Sequence, residues 1–247
     1  MEPYYLAYEK RYKAVYEAGV KIWGKQPCDE ALRMALTRWV VYSSLRRKKI
    51  IEFACGEGTV GTFLTQLECR YHGFDVSPSA VARAKEVLSG YYREPSVSVL
   101  DLVNKCPPGK YDAALDVSGL HMIVVDADRE KYLANMLSVL KPGAPALFFR
   151  EVYREDAYSG PVNSFEQWLT IEGSDYETPS PRTVTNDDVE YTVNIPLVPA
   201  RGKNKEDYIS EMTAAGFVVD DFVVLDVNED IPFSAAIYVH KPHTPLG

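Results

Sequence analysis

The sequence predicts an α/β fold, and three observations predict it. Residues 50–64 read Ile-Ile-Glu-Phe-Ala-Cys-Gly-Glu-Gly-Thr-Val-Gly-Thr-Phe-Leu. A short apolar run (Ile50, Ile51, Phe53) meets a small-residue turn (Ala54, Gly56, Gly58), after which Val60, Phe63, Leu64 and Leu67 recur at helical spacing. That is strand, tight turn, helix. Second, the same alternation returns along the chain, with a short strand at 71–76 before a helix at 79–88 and a strand from Tyr111 to Asp116 before a helix at 128–140; alternating strands and helices of this length make a parallel sheet. Third, 247 residues with 46% hydrophobic and 25% charged content have ordinary globular proportions and enough chain for one large domain with a sizeable core.

Composition also excludes. The formal net charge is −8 and the pI about 5.1, which argues against a nucleic-acid backbone as the main partner. Four cysteines (Cys28, Cys55, Cys69, Cys106) show no C-x-x-C spacing and read as reduced thiols, not a disulfide frame or a metal site. The start, Met-Glu-Pro-Tyr-Tyr, lacks a basic and apolar leader, and no apolar run is long enough to span a bilayer. A cytoplasmic protein without membrane contact is expected. The oligomeric state stays open.

In chain order, Tyr8, Tyr12 and Tyr16 sit four apart on one face of a helix over residues 2–20. Two readings stand: an aromatic stripe packed on the domain, or a lid whose tyrosines border a ligand. A second helix is expected over 29–45, with Asp29 as N-cap. The turn at 54–58 needs glycine where a ligand nears the backbone or φ turns positive. The helix after it aims free N–H groups at a polar or anionic group. Gly56, Gly58 and Gly61 also spell G-x-G-x-x-G, a dinucleotide fingerprint. The strand at 71–76 carries Asp75 near its tip, where a carboxylate accepts both ribose hydroxyl protons. A third strand is expected over Ser96–Leu102, and a fifth from Ala146 to Val152 after the turn at Pro142-Gly143. Residues 153–202 break the rhythm, with a helix at Ser164–Leu169 and a hairpin turning at Asn186–Asp187. A helix from Lys205 to Ala215 and strands at Val218–Val227 and Ser234–Lys241 close the chain.

Five signals in order carry a family resemblance: Glu52 with Ala-Cys-Gly-Glu-Gly, Asp75, Asp101-Leu102, Tyr-Asp-x-x-x-Asp at 111–116, and Leu-Lys-Pro-Gly at 140–143. Together they resemble class I S-adenosylmethionine-dependent methyltransferases, from about Ile50 to Lys241. The first glycine of that family's loop is Ala54 here. More loosely, Tyr16-Glu17-Ala18-Gly19 through Trp23, Gly24 and Pro27 resembles the entry segment of several small-molecule methyltransferases. The resemblance implies a Rossmann-like, doubly wound, seven-stranded, mostly parallel sheet with one antiparallel strand, an N-terminal helical lid and an inserted cap after strand 5. It divides one domain (1–247) into lid helices (1–45), cofactor core (46–152), cap (153–202) and a C-terminal helix with a strand pair (203–247).

It further implies S-adenosylmethionine as cofactor, S-adenosylhomocysteine as product and no metal. The cofactor set is Tyr12, Trp23, Glu52, Ala54, Gly56, Gly58, Asp75, Val76, Asp101, Leu102, Asp116 and Val117. His121, beyond the fourth strand, is the candidate base, because an ordinary imidazole takes a proton near neutrality; its alternative is a histidine without chemistry. Tyr16, His121, Arg150 and Glu151 are the acceptor candidates, with a structural ion pair as the other reading of the last two. Cys55 reads as a small buried loop residue. An acidic chain with an aromatic helix and a cap favours a small organic acceptor methylated on O or N. Protein or nucleic acid as acceptor is the alternative, as are an NAD-dependent oxidoreductase and a non-catalytic S-adenosylmethionine-binding protein.

Overall fold

The computed structural model describes residues 3–23, 29–91, 95–186, 189–225 and 233–243. A 3-10 turn at Tyr4–Leu6 leads into α1 (Ala7–Glu17), and α2 (Glu30–Tyr42) follows. The core then alternates: β1 (Lys49–Phe53), α3 (Thr59–Gln66), β2 (Arg70–Asp75), α4 (Pro78–Val87), β3 (Ser96–Val99), β4 (Ala113–Val117), α5 (Asp126–Val139) and β5 (Pro145–Val152). The remainder is α6 (Phe165–Glu172), β6 (Ser180–Asn186), β7 (Val189–Ile195), α7 (Lys205–Ala214), β8 (Val218–Leu225) and β9 (Ser234–His240).

Seven strands form one sheet in the order β3-β2-β1-β4-β5-β9-β8. β1 to β5 are mutually parallel, and β9 runs antiparallel to both of its neighbours. The period-two alternation of a strand sends successive side chains to opposite faces. Ile51 therefore joins Tyr132, Met136 and Tyr208 on the α5–α7 face, while Ile50 joins Leu36, Leu64 and Val81 on the α2–α3–α4 face. Helices thus cover both faces, as a parallel sheet requires. β6 and β7 form a separate hairpin, whose Val193 and Ile195 pack with Val15 and Val20.

Some boundaries differ from expectation. β3 stops at Val99, not Leu102, because Asp101 turns the chain by accepting the amides of Val103 and Asn104. α2 ends at Tyr42, three residues short of Leu45, and Ser44 beyond it has φ 55°, which a helix cannot continue. α6 runs past Leu169 to Glu172 and stops at the left-handed Gly173. The expected features at Gly24, Pro27, Cys28, Asp187 and Asp226–Val227 lie outside the described residues.

Candidate active site

A cavity of about 1240 Å³ opens at the carboxyl ends of β1, β2, β4 and β5. β1 and β4 are neighbours while the chain proceeds outward from β1 through β2 and β3. This is the point where an open α/β sheet reverses its winding and leaves a crevice. Three strand exits at its wall carry non-glycine residues with left-handed backbone: Ala54 (φ 53°), Ser118 (φ 61°) and Arg150 (φ 62°). Such strain is tolerated where the surroundings enforce it. At Arg150 it coincides with a bulge in β5 between Phe149 and Glu151, which turns the Arg150 side chain to the cavity.

Asp75 is buried at the tip of β2. Its Oδ2 accepts the Gly56 N–H at 2.8 Å and its Oδ1 the Ser77 N–H at 2.8 Å. The first β-strand turn and the second are thereby joined through one carboxylate. Burial raises the Asp75 pKa, against the pull of those amides. Glu52, at the end of β1, accepts a short hydrogen bond from Tyr71. Burial, with the nearby charge of Asp75, pushes it up to about 8, so it carries its proton at neutral pH. Asp101 accepts from Tyr5 at 3.1 Å and from Asn104 Nδ2 at 2.8 Å, and Leu102 lies beside it on the wall. Val76, Val117, Trp23 and Tyr12 line the cavity as well.

The glycines differ in what they do. A Cβ on Gly56 (φ 49°) would lie 2.9 Å from the Tyr12 hydroxyl oxygen, so α1 closes onto the loop only because that position is bare. Gly58 is turned elsewhere: its Cβ would meet Ala84 and Leu88 at 3.0 Å, and it is absent from the cavity wall. A Cβ on Gly61 would meet the Tyr71 ring at 2.4 Å. Gly58 and Gly61 are glycine for helix packing, and the G-x-G-x-x-G spacing does not build a three-glycine cradle.

Several expected site residues stand back from the wall. Asp116 is wholly buried, accepting from Tyr132 at 2.7 Å and from the Gly119 amide at 2.7 Å. It shapes the Val117–Gly119 loop from beneath. Burial, together with the charge of Glu151, holds its pKa well above the usual carboxylate range. His121 is buried too, with Nδ1 3.0 Å from Glu151 Oε2, and the His121 amide donates to the same oxygen at 2.7 Å. Neither His121 nor Glu151 lines the cavity: the imidazole is turned to Glu151 of β5. Arg150 does line it, and pairs with Asp29 at 2.5 Å. Tyr16 is off the wall and donates to Glu57 at 2.7 Å, whose same oxygen takes the Trp23 amide at 2.8 Å. Cys55 is buried, and burial pushes its thiol up, as befits a packing residue.

Other contributors were not singled out from the sequence. Glu9 of α1 accepts from Ser77 Oγ at 2.6 Å, from the Ser79 N–H at 3.0 Å and from Ser79 Oγ at 2.8 Å, clamping the helix over the β2 exit. A capping serine such as Ser77 is visible in the sequence, but its partner 68 residues away is not. Tyr8 of the expected tyrosine stripe joins the wall from the N-terminal segment, with Tyr5, Arg11 and Lys21 beside it, and Thr183 to Thr185 come from β6. The N-terminal segment thus lines the cavity as well as packing aromatic side chains on the domain. Among the described residues no cluster suits a metal ion, and no helix is long and apolar enough to cross a membrane.

Residues 51–146 match a family model described as a methyltransferase domain. Among solved structures, the magnesium protoporphyrin IX methyltransferase of Synechocystis PCC 6803 with bound S-adenosylhomocysteine is 14% identical with a TM-score of 0.64, covering 97% of this chain and 100% of its own. The 1,6-didemethyltoxoflavin-N1-methyltransferase of Burkholderia thailandensis is 15% identical with a TM-score of 0.64, over 97% of this chain and 89% of its own. A structure described as a [4+2]-cyclase is 15% identical with a TM-score of 0.67, over 98% of both chains. Likeness at these identities shows the fold, and the cyclase illustrates that one fold hosts more than one chemistry.

Proposed function

From the premise that residues 51–146 are a methyltransferase domain, we propose that the chain transfers a methyl group from S-adenosylmethionine to an oxygen or nitrogen atom of a small organic acceptor. The observation that carries this reading is the cavity wall that joins Glu52, Gly56, Asp75 and Asp101 at the sheet's switch point under α1. When bound, the cofactor supplies a sulfonium methyl group, whose carbon bonds to an acceptor lone pair as the sulfur–carbon bond breaks and S-adenosylhomocysteine leaves.

The residues present suit that group. Each Asp75 oxygen accepts one backbone N–H, which leaves lone pairs for a pair of ribose hydroxyls. Asp101 and Leu102 offer an acceptor and an apolar surface to an adenine, with Tyr5 on the same carboxylate. Glu52 is a buried carboxyl whose ionised form lacks a cationic partner, so an ammonium group is the complement it favours. α1 and β6 contribute to the cavity wall, where they would limit water at the transfer and help hold the acceptor in line. His121 and Glu151 hold the loop from Val117 to Met122 against β5, and we assign them positioning roles, not proton transfer. Arg150, paired with Asp29, anchors α2 to the rim. A cavity of this size and the small-molecule acceptors named for two fold neighbours support a small acceptor over a macromolecule.

Calorimetric titration with S-adenosylhomocysteine, with NADH in parallel, tests the cofactor. Binding of the first at about micromolar Kd, near 8 kcal/mol, and none of the second is expected. Binding of NADH alone would overturn the reading in favour of an oxidoreductase.

A further inference from the structure

We propose that the methyl acceptor carries a carboxylate and that Arg11 binds it, a proposal that rests on the methyltransferase reading above. Arg11 lies on the cavity wall with its guanidinium carbon 5.7 Å from the Tyr8 ring centroid and 5.5 Å from that of Trp23. The rings offset its charge and fix its plane, but they offer no hydrogen-bond acceptor in line with an N–H. No carboxylate of the described residues forms an ion pair with it, and its Nε is buried without a hydrogen-bond partner.

Other guanidiniums in or near the interior each have a carboxylate partner, although Arg201 Nε is likewise buried without a hydrogen-bond partner. Arg129 donates to Glu211 through two nitrogens and to the Leu120 and Ile123 carbonyls through the third. Arg150 is paired with Asp29, and Arg201 with Asp126. Arg11 is a cation held at a cavity with its counter-anion still to come. The two terminal Nη groups, for which no hydrogen bond or ion pair is formed among the described residues, are the donors that two carboxylate oxygens match.

The position favours the acceptor's carboxylate over that of the cofactor. Tyr5, Glu9 and Tyr12 turn toward Asp101, the β2 exit and Gly56. Tyr8, one turn before Arg11, instead donates to the Pro199 carbonyl in the inserted segment. Arg182 of β6 also acts on Arg11: burial lowers the Arg11 pKa and the charge of Arg182 lowers it further. Lys21 lines the same cavity. Arg11, Lys21 and Arg182 thus bring positive charge to this part of a chain whose net charge is −8. The carboxylate is a handle, and the methylated atom is a different one.

The test is calorimetry on protein saturated with S-adenosylhomocysteine, titrated with benzoate, phenylacetate and cinnamate, each against its amide. In the wild type at least one acid binds about tenfold or more tightly than its amide. In Arg11→Gln that preference disappears while affinity for S-adenosylhomocysteine, which is neutral overall, stays within about twofold of wild type. Three results overturn the proposal: no acid binds, amides bind as tightly as acids, or Arg11→Gln weakens S-adenosylhomocysteine instead, which would give Arg11 to the cofactor. The wild-type comparison of acid with amide stands even where the variant folds poorly. Failure of wild-type protein to bind S-adenosylhomocysteine is a separate result, against the methyltransferase reading itself.

Discussion

Single side chains at the β1 exit decide what the glycine-rich loop is for. Gly61 illustrates it. In a helix, alanine is better than glycine by about 0.5–1 kcal/mol, so Gly61→Ala is stabilising by propensity alone. The Tyr71 ring 2.4 Å from the added Cβ reverses the sign, because Tyr71 is buried and tied to Glu52 and has no room to swing aside. Gly61→Ala is expected to cost about 1–3 kcal/mol of stability, read as a lower urea midpoint; an unchanged or higher midpoint would show that Tyr71 yields. Glu52 makes a second residue-scale prediction. Its folded pKa of about 8 stands above the ordinary glutamate value of 4.5. Below about pH 4.5 it is protonated in both states. Between there and its folded value the unfolded chain ionises first, so stability falls as pH rises through that window and levels off above it. The loss is on the order of a few kcal/mol. Glu52→Gln keeps the shape of the neutral acid and should remove this part of the slope. Urea midpoints for both proteins at several pH values across that range check it, and parallel profiles would deny Glu52 the effect.

At the scale of elements, the loop after β4 is held from two sides. His121 and Glu151 fasten it to β5. Arg129 of α5, wholly buried, ties it to α7: one nitrogen donates to the Leu120 and Ile123 carbonyls, and the other two donate to Glu211 at 2.6 and 2.7 Å. Against burial, the charge of Arg129 pulls Glu211 down to about 2. A depressed carboxylate gives stability that is present above its ordinary pKa and lost as pH falls toward the folded value. Glu211→Gln leaves a buried guanidinium without its counter-charge. It is expected to cost about 3–5 kcal/mol and to flatten the acid limb below about pH 4.5. Thermal unfolding at pH 7 and at pH 3 measures both effects; a loss under about 1 kcal/mol at pH 7 would mean that the pair contributes no more than a surface bridge. The 3-10 turn at Tyr4–Leu6 and α1 after it are attached as well, through Tyr5 to Asp101, Glu9 to Ser77 and Ser79, and Tyr16 to Glu57. Those contacts set the N-terminal turn and helix against three successive loops of the sheet.

For the molecule as a whole, the order β3-β2-β1-β4-β5-β9-β8 puts the loops after β1, β2, β4 and β5 at one end. Helices on both faces leave that end as the open side. The insertion between β5 and α7 returns over it, with β7 packed against α1 and β6 at the cavity wall. α1 and the β6–β7 hairpin are therefore packed together through the Val15, Val20, Val193 and Ile195 cluster, so this part of the cavity wall is built from two segments far apart in sequence.

The sequence by itself determined the alternation of strands and helices, the glycine turn, and the acids at Asp75 and Asp101. These are local properties: hydrophobic period, turn chemistry and the residue at a strand tip are all written within about ten residues. It also offered Glu52, Ala54 and Gly56 as loop residues at the cavity. What only the tertiary structure decided is which side chains face the space. His121 follows β4 as a base would, yet the Glu151 carboxylate at the end of β5 holds its ring off the wall. Gly61 completes a spacing, yet a tyrosine from the next strand accounts for it. Arg11 and Glu9 sit in a tyrosine-rich helix whose period tells which residues share a face but not what that face meets. Direction in space depends on contacts between residues remote in sequence, such as Glu9 with Ser77, and no local pattern encodes those.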